Sequence, residues 1–116
     1  ALNLWPLRAN DKIQAAAREH SAWQARHRTM SHTRPAAAFK TFANRCKRQG
    51  YPAPGGENIS MSTGAAAVWH WRADAGHHRN LINRSWRAMG LGAAGRYTTY
   101  NAGRVIEDKG LMALVK

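Results

Sequence analysis

The segment Pro-Ala-Pro-Gly-Gly-Glu-Asn-Ile-Ser, residues 52–60, separates two parts of the chain that carry different patterns of apolar residues. Its two prolines and two glycines predict a loop over Tyr51–Gly56, since both residue types interrupt regular backbone structure. Directly after this loop stands Glu57, one of only six acidic residues in the sequence. Helical periodicity dominates on the N-terminal side, whereas a helix and then short strands follow on the C-terminal side.

Two helices are predicted before this segment. Apolar residues at helical spacing from Ile13 onward indicate a helix that Asn10 and Asp11 can cap and that ends near Met30. A second helix is predicted over Ala36–Gln49 and ends at Gly50. The lone cysteine, Cys46, falls on the apolar face of this second helix, so we expect a buried small hydrophobe there rather than a reactive thiol. A single cysteine also excludes an internal disulfide.

A third helix is predicted after the segment. Thr63 is its predicted N-cap, Trp71 lies within it, and Gly76 ends it. A short helix or turn around Asn80–Asn83 follows. We expect most tryptophans in the core, with Trp86 as the exposed exception because it stands among arginines.

The last third of the chain has the short apolar and aromatic segments that are typical of strands. Ala88–Ala93 and Tyr97–Asn101 flank Gly95 and predict a hairpin. A second pair, Arg104–Glu107 and Leu111–Val115, predicts another. Helices first and strands later indicate an α+β fold in which helices cover an antiparallel sheet, as one domain over residues 1–116.

The charge balance indicates the class of partner. The chain carries 18 Lys and Arg against 6 Asp and Glu, a formal net charge of +12. We therefore expect an anionic surface, an acidic glycan or an acidic protein as the partner. Nucleic acid is disfavoured because the basic residues are scattered from Arg8 to Arg104 rather than gathered in a stripe. The longest uncharged apolar stretch, Gly64–Trp71, is too short to span a membrane, and we expect any targeting segment to have been removed or left out.

Four side chains are the candidates for a functional site: His32, Glu57, Asp74 and His77. Histidine and carboxylate groups that converge in one cleft can do general acid and base work, and two imidazoles with carboxylates can hold zinc. The alternatives are core histidines bonded within the fold and a Glu57 that caps the backbone of a turn.

A series of short motifs resembles a known family. In chain order they are His20-Ser21, Ser31-His32, Gly56-Glu57-Asn58-Ile59, Trp71, Gly76-His77 with Asn80, Gly90-Leu91-Gly92, and the aromatic strand Tyr97–Tyr100. Their order and spacing resemble the CAP superfamily of cysteine-rich secretory proteins, antigen 5 and pathogenesis-related 1 proteins. The similarity is to the compact, cysteine-poor bacterial branch with an SCP-like domain, and it covers about residues 6–102.

The resemblance implies a three-layer α-β-α sandwich with a central antiparallel sheet and a cleft lined by two histidines and two acids. Carried over to this sequence, His32 and His77 are the histidines, and Glu57 and Asp74 are the acids. In some members the histidine pair binds zinc or another divalent ion, which would make His32, His77 and Glu57 the ligands here. Other members bind sterols, lipids or proteins. Residues 103–116 run past the family's usual end, as an extra hairpin or an attachment to another molecule.

Three functions remain open at this point. The first is a binding or structural module that is secreted, extracellular or periplasmic, in a larger envelope assembly; the sequence lacks a Gly-x-Ser-x-Gly nucleophile motif. The second is a metal-assisted, peptidase-like hydrolase with Glu57 as general base. The third is a basic nucleic-acid-binding protein. The first two require that His32, His77 and Glu57 face one hollow.

Overall fold

The computed structural model describes residues 7–106 of the chain. In chain order its elements are β1 (Arg8–Ala9), α1 (Asp11–His27), a short 3-10 helix (Ala37–Phe39), α2 (Phe42–Arg48), β2 (Pro54–Ser60), α3 (Gly64–Ala73), α4 (Ala75–Leu81), β3 (Ala88–Ala94) and β4 (Tyr97–Gly103). The predicted second hairpin falls mostly on residues 107–116, which lie outside the described residues. Its first part, residues 104–106, is not a strand.

The strands form one sheet in the order β1-β3-β4-β2. The pairs β3–β4 and β4–β2 are antiparallel, whereas the two-residue β1 runs parallel to β3. The hairpin predicted around Gly95 is confirmed, and Gly95 has a φ of 56°. A positive φ at the first turn position and not at Arg96 is the pattern of a type II′ turn, which suits the twist of a hairpin.

Helices cover both faces of this sheet, so successive strand residues contribute to two separate cores. The core on the α1 and α2 side contains Ile13, Ala16, Cys46, Tyr51 and Ala88. The core on the opposite side contains Ala67, Trp71, Trp86, Tyr100 and Ala102. All seven residues of β4 are buried, as expected for a strand covered on both faces. The α+β sandwich predicted from the sequence is confirmed.

Helix α1 lies directly on the sheet because β3 presents bare backbone to it. A Cβ atom at Gly90 would overlap the backbone of Gln14, and one at Gly92 would overlap the backbone of Arg18. The Oδ1 atom of Asn10 accepts a hydrogen bond from the Ile13 N–H at 2.9 Å, so Asn10 is the N-cap and Asp11, the other predicted cap, is the first residue of the helix. The helix thus begins and packs as its sequence predicts.

The predicted second and third helices are each interrupted. Over Ala36–Gln49, one turn of 3-10 helix stops at Phe39, and Thr41 starts α2 through a capping box with Asn44. The third helix ends at Ala73 rather than Gly76, because the carboxylate of Asp74 caps a new helix, α4. In both cases a local side chain competes successfully with continued helical hydrogen bonding.

The predicted loop over Tyr51–Gly56 is wrong in its second half, where β2 already begins at Pro54. Proline is tolerated as the first residue of a strand, and the pairing with β4 shifts register between Pro54 and Gly56. The expected exposure of Trp86 is also wrong, since its side chain is buried against the backbone of Gly55. Among the tryptophans within residues 7–106, the exposed one is Trp69, at 67%.

We expect Gly92→Ala to lower the free energy of unfolding by about 1–3 kcal/mol, because the added methyl group forces α1 away from the sheet. Gly76→Ala, at a helical position with room for a methyl group, is the matched control and is expected to stabilise the protein by about 0.5–1 kcal/mol. Urea unfolding followed by circular dichroism measures both. Equal effects of the two substitutions would contradict the packing described here.

Candidate functional site

Glu57 lies in the middle of β2 and points to the α1 and α2 side of the sheet. Its side chain is only 1% exposed. The next residue, Asn58, points to the opposite side, because successive side chains of a strand alternate. A buried carboxylate needs a partner of opposite charge or several hydrogen-bond donors. The surroundings of Glu57 supply both.

The charged partner is Arg45 of α2, whose side chain is fully buried. Its Nη2 atom donates to Oε1 and Oε2 of Glu57 at 2.9 and 2.8 Å. Its Nη1 atom donates to the backbone carbonyls of His32, Phe39 and Lys40 at 3.0–3.3 Å. A single guanidinium therefore neutralises the acid and also holds the chain between α1 and α2 in place.

Two further donors complete the surroundings of the carboxylate. Asn101 stands opposite Glu57 in the β2–β4 pairing, and with its amide nitrogen turned to the acid it donates to Oε2 at 2.9 Å. The His32 Nδ1 atom lies 2.9 Å from Oε1. An ionised carboxylate only accepts hydrogen bonds, so the Nδ1 atom of His32 carries the proton of this contact. The His32 side chain is 54% exposed.

Residues of α1 position the segment that carries His32. The His20 Nε2 atom lies 2.7 Å from the Ser31 carbonyl oxygen, and the Gln24 Oε1 atom accepts from the Ser31 N–H at 3.1 Å. Ser21 donates from its hydroxyl to the Gly92 carbonyl at 2.9 Å, which ties the same helix to β3. The His-Ser motif is therefore a buried polar link between helix, sheet and loop.

A second histidine–acid pair lies on α4. The His77 Nδ1 atom is 3.1 Å from Oδ1 of Asp74, and the side chains are 40% and 61% exposed respectively. The same Oδ1 atom accepts from the His77 N–H at 3.0 Å, as an N-cap does. This backbone hydrogen bond is the main reason that the pKa of Asp74 is lowered from its ordinary value. Asn58 connects the helix to β2 by donating to the His77 carbonyl at 3.1 Å.

A family model describing the cysteine-rich secretory protein family, CAP, matches residues 1–106. The chain belongs to this family. A search of curated proteins finds no match. Among solved structures, the CAP domain is similar to an extracellular protein of Bacillus anthracis that contains an SCP domain, with a TM-score of 0.82 and 28% identity over 89% of this chain. The match covers 35% of the Bacillus protein, so this chain spans about a third of it.

The CAP domain is also similar in fold to an outer surface protein of Borrelia burgdorferi. That match has a TM-score of 0.67 and 19% identity, and it covers 89% of this chain and 81% of the Borrelia protein. Among the helices within residues 7–106, none combines the length and apolar character that a membrane crossing requires.

The four residues predicted to line the CAP cleft thus occur as two pairs, His32 with Glu57 and Asp74 with His77. Within residues 7–106, no three or more His, Cys, Asp or Glu side chains form a group that could hold a metal ion. That all three of His32, Glu57 and His77 serve one metal site stays a prediction. The expectation for Cys46 is confirmed: it is fully buried, and burial raises the pKa of its thiol to about 12.

Sequence reasoning missed Arg45 and Asn101. Asn101 could have been found from the strand register. Once the strand that contains Glu57 is paired with the aromatic strand, Asn101 stands opposite Glu57. The signal for Arg45 is weaker: a basic residue beside Cys46 on a short helix, in a chain with an acid on a buried strand. An arginine at such a position has to be paired to be buried.

We expect Arg45→Met to lower the free energy of unfolding by about 3–5 kcal/mol, because it leaves the Glu57 carboxylate buried without its cation. The double variant with Glu57→Gln should recover a substantial part of this loss, since the uncompensated charge is gone. Arg79→Ala, an exposed position on α4, is the control and should change stability by less than about 0.5 kcal/mol. Urea unfolding measures these variants together with the Glu57→Gln single variant, and additive effects of the two single substitutions would disprove the coupling.

The stability of this domain should also depend on pH through His20. Burial lowers the pKa of His20 from 6.5 to about 4, with the Glu57 charge opposing this effect. Between these values the unfolded chain binds a proton that the folded chain does not. The contribution of His20 to the free energy of unfolding is therefore fully present above pH 6.5 and is lost as the pH falls toward 4, by up to about 3 kcal/mol. Urea unfolding at pH 7.5, 6 and 5 should show a shallower decline for His20→Gln, and parallel declines would refute the assignment.

Proposed function

We propose that this CAP domain is a non-catalytic binding module of the cell exterior, and that its basic surface recognises an acidic glycan. The observation that carries the proposal is the imbalance of exposed charge. The exposed basic residues are Arg8, Lys12, Arg18, Arg26, Arg28, Lys40, Lys47, Arg48, Arg72, Arg79, Arg84, Arg96 and Arg104. The acids of the described region are Asp11, Glu19, Glu57 and Asp74.

Three of these acids are already engaged within the fold. Glu57 is buried with Arg45, Asp74 caps α4, and the Glu19 Oε1 atom pairs with the Arg34 Nη1 atom at 2.6 Å. The positive field of the surface is therefore weakly compensated from within the described region. Such a field raises the local concentration of anionic polymers and speeds their encounter. Basic residues that are spread over the surface are better placed to bind a flexible polyanion than a single small substrate.

The environment of Glu57 supports binding over hydrolysis. Its oxygens accept from Arg45 twice, from His32 and from Asn101. These four contacts use the acceptor positions of a carboxylate, and the side chain is 1% exposed. A general base must reach the proton of a substrate or of a bound water, so Glu57 does not fit that role. The same saturation makes Glu57 a poor metal ligand.

The names of the similar structures support an exterior location. One is called extracellular and the other an outer surface protein. Because the Bacillus protein is about three times longer than the region matched here, its activity as a whole does not transfer to this chain. The exterior location is therefore the part of the proposal that these names support.

One observation favours the second function, a metal-assisted hydrolase. His32 is held by Glu57 through Nδ1 and is half exposed, which leaves Nε2 directed away from the acid. A carboxylate that orients an imidazole in this way is common behind metal ligands and general bases. In that function His32 and His77 would hold the ion, which would supply a polarised water. Zinc titration followed by calorimetry, with His32→Ala as the control, distinguishes this function from the first.

The test of the proposal is equilibrium binding to polygalacturonate, an acidic glycan, with neutral dextran as the control polymer. We expect affinity to fall about tenfold or more between 50 and 200 mM NaCl, as counterion release predicts for several contacts. His77→Ala should leave binding unchanged because the surface, not the histidine–acid pairs, makes the contacts. Salt-independent binding, or loss of binding in His77→Ala, would refute a surface-driven mechanism.

A further inference from the structure

A hollow of about 570 Å³ lies at the end of the sheet where β3 turns into β4. Its walls come from the end of α1, the connection after β2 and the hairpin turn, and they consist of Ala25, Arg28, Met61, Gly95, Arg96 and Tyr97. Its volume is within the range of small-molecule sites. Tyr97 stands four residues before Asn101 on β4, so the hollow lies about 13 Å along the strand from the Glu57 carboxylate.

Two cations face this hollow without a partner of opposite charge in the described region. Arg28 and Arg96 are both exposed, and neither forms an ion pair with an acid of residues 7–106. The hollow itself has no acidic lining residue. Two guanidinium groups at one concave site offer paired donors in the geometry that phosphate and carboxylate groups accept.

The rest of the lining is apolar. Met61 is 49% exposed, so its side chain is accessible to a ligand in the hollow. Its flexible thioether side chain adapts to ligands of different shape. Tyr97 is 5% exposed and contributes a fixed wall, and Ala25 of α1 is a further apolar residue of the lining. The hollow thus combines cations with an apolar surface of a few side chains.

The backbone at Arg28 shows that its side chain is not needed for the helix end. Arg28 is the C-cap of α1 with φ 50° and ψ 44°, the left-handed region that glycine occupies at lowest cost. It is the only non-glycine residue with positive φ among residues 7–106. An arginine here costs helix stability and places a cation at the edge of the hollow. This position allows the charge to be removed without weakening the fold.

We propose that this hollow binds a small organic anion: a phosphate or carboxylate group between Arg28 and Arg96, joined to an alkyl or aryl body that packs on Met61 and Tyr97. The site is separate from both histidine–acid pairs. It also differs from the glycan surface proposed above, because it requires an apolar body and a defined pair of cations. Binding there therefore does not depend on whether the domain recognises a polyanion.

The test uses octyl phosphate below its micelle concentration, titrated into the labelled chain and followed by NMR at the Gly95 amide and the Met61 methyl group. We expect saturable shifts at both positions, and at least tenfold weaker binding of octanol and of inorganic phosphate, since each carries only half of the proposed recognition. Arg28→Gly should weaken octyl phosphate binding at least fivefold while its urea midpoint stays equal or rises.

The matched control is Arg79→Ala, which removes one exposed arginine on α4 and should keep the affinity within twofold. Arg96→Ala should weaken binding to a similar extent as Arg28→Gly. Three results would each overturn the proposal: unchanged affinity in Arg28→Gly, inorganic phosphate binding as tightly as octyl phosphate, or shifts that map to His32 and His77 instead of Gly95.

Discussion

The buried ion pair between Arg45 and Glu57 is the constraint on which the rest of this domain depends. The pair joins α2 to β2, and the Nη1 atom of Arg45 donates to three carbonyls of the chain that precedes α2. That chain has little regular structure of its own, so its backbone groups need such a donor. His32 belongs to the same segment. The buried contacts of Arg45 therefore also determine the position of the exposed His32 imidazole.

A second buried arginine repeats this arrangement on the other side of the segment. The guanidinium of Arg34 pairs with Glu19 and lies 5.0 Å from the centre of the Trp23 ring and 4.8 Å from that of Phe39. Attraction to the aromatic faces partly offsets the free-energy cost of removing the weakly hydrated guanidinium from water. The region between α1 and α2 is thus ordered by two arginines instead of by an apolar core. Some arginines of this protein therefore stabilise the fold from within, whereas others give the surface its positive charge.

Much of the framework could be predicted from the sequence, because it depends on local signals. Asn10 and the apolar spacing after it define α1, and Gly95 defines the hairpin. The interruptions at Thr41 and Asp74 could not be read in the same way, since a capping residue and an ordinary helical residue look alike without their partners. Only part of the candidate site could be predicted from the sequence, for a related reason. His32 and Glu57 belong to recognisable motifs, whereas Arg45 enters through a long-range contact.

The double role of Asp74 has a consequence for how related sequences are compared. Its carboxylate starts α4, and serine, threonine or asparagine perform that task about equally well. A relative with a neutral residue at this position would therefore keep the same helix and the same placement of its histidine. A relative that lacks this acid has therefore not necessarily lost a catalytic activity, and a relative that has it is not necessarily an enzyme. Divergence at the residues that correspond to Arg45 and Glu57 is far more informative.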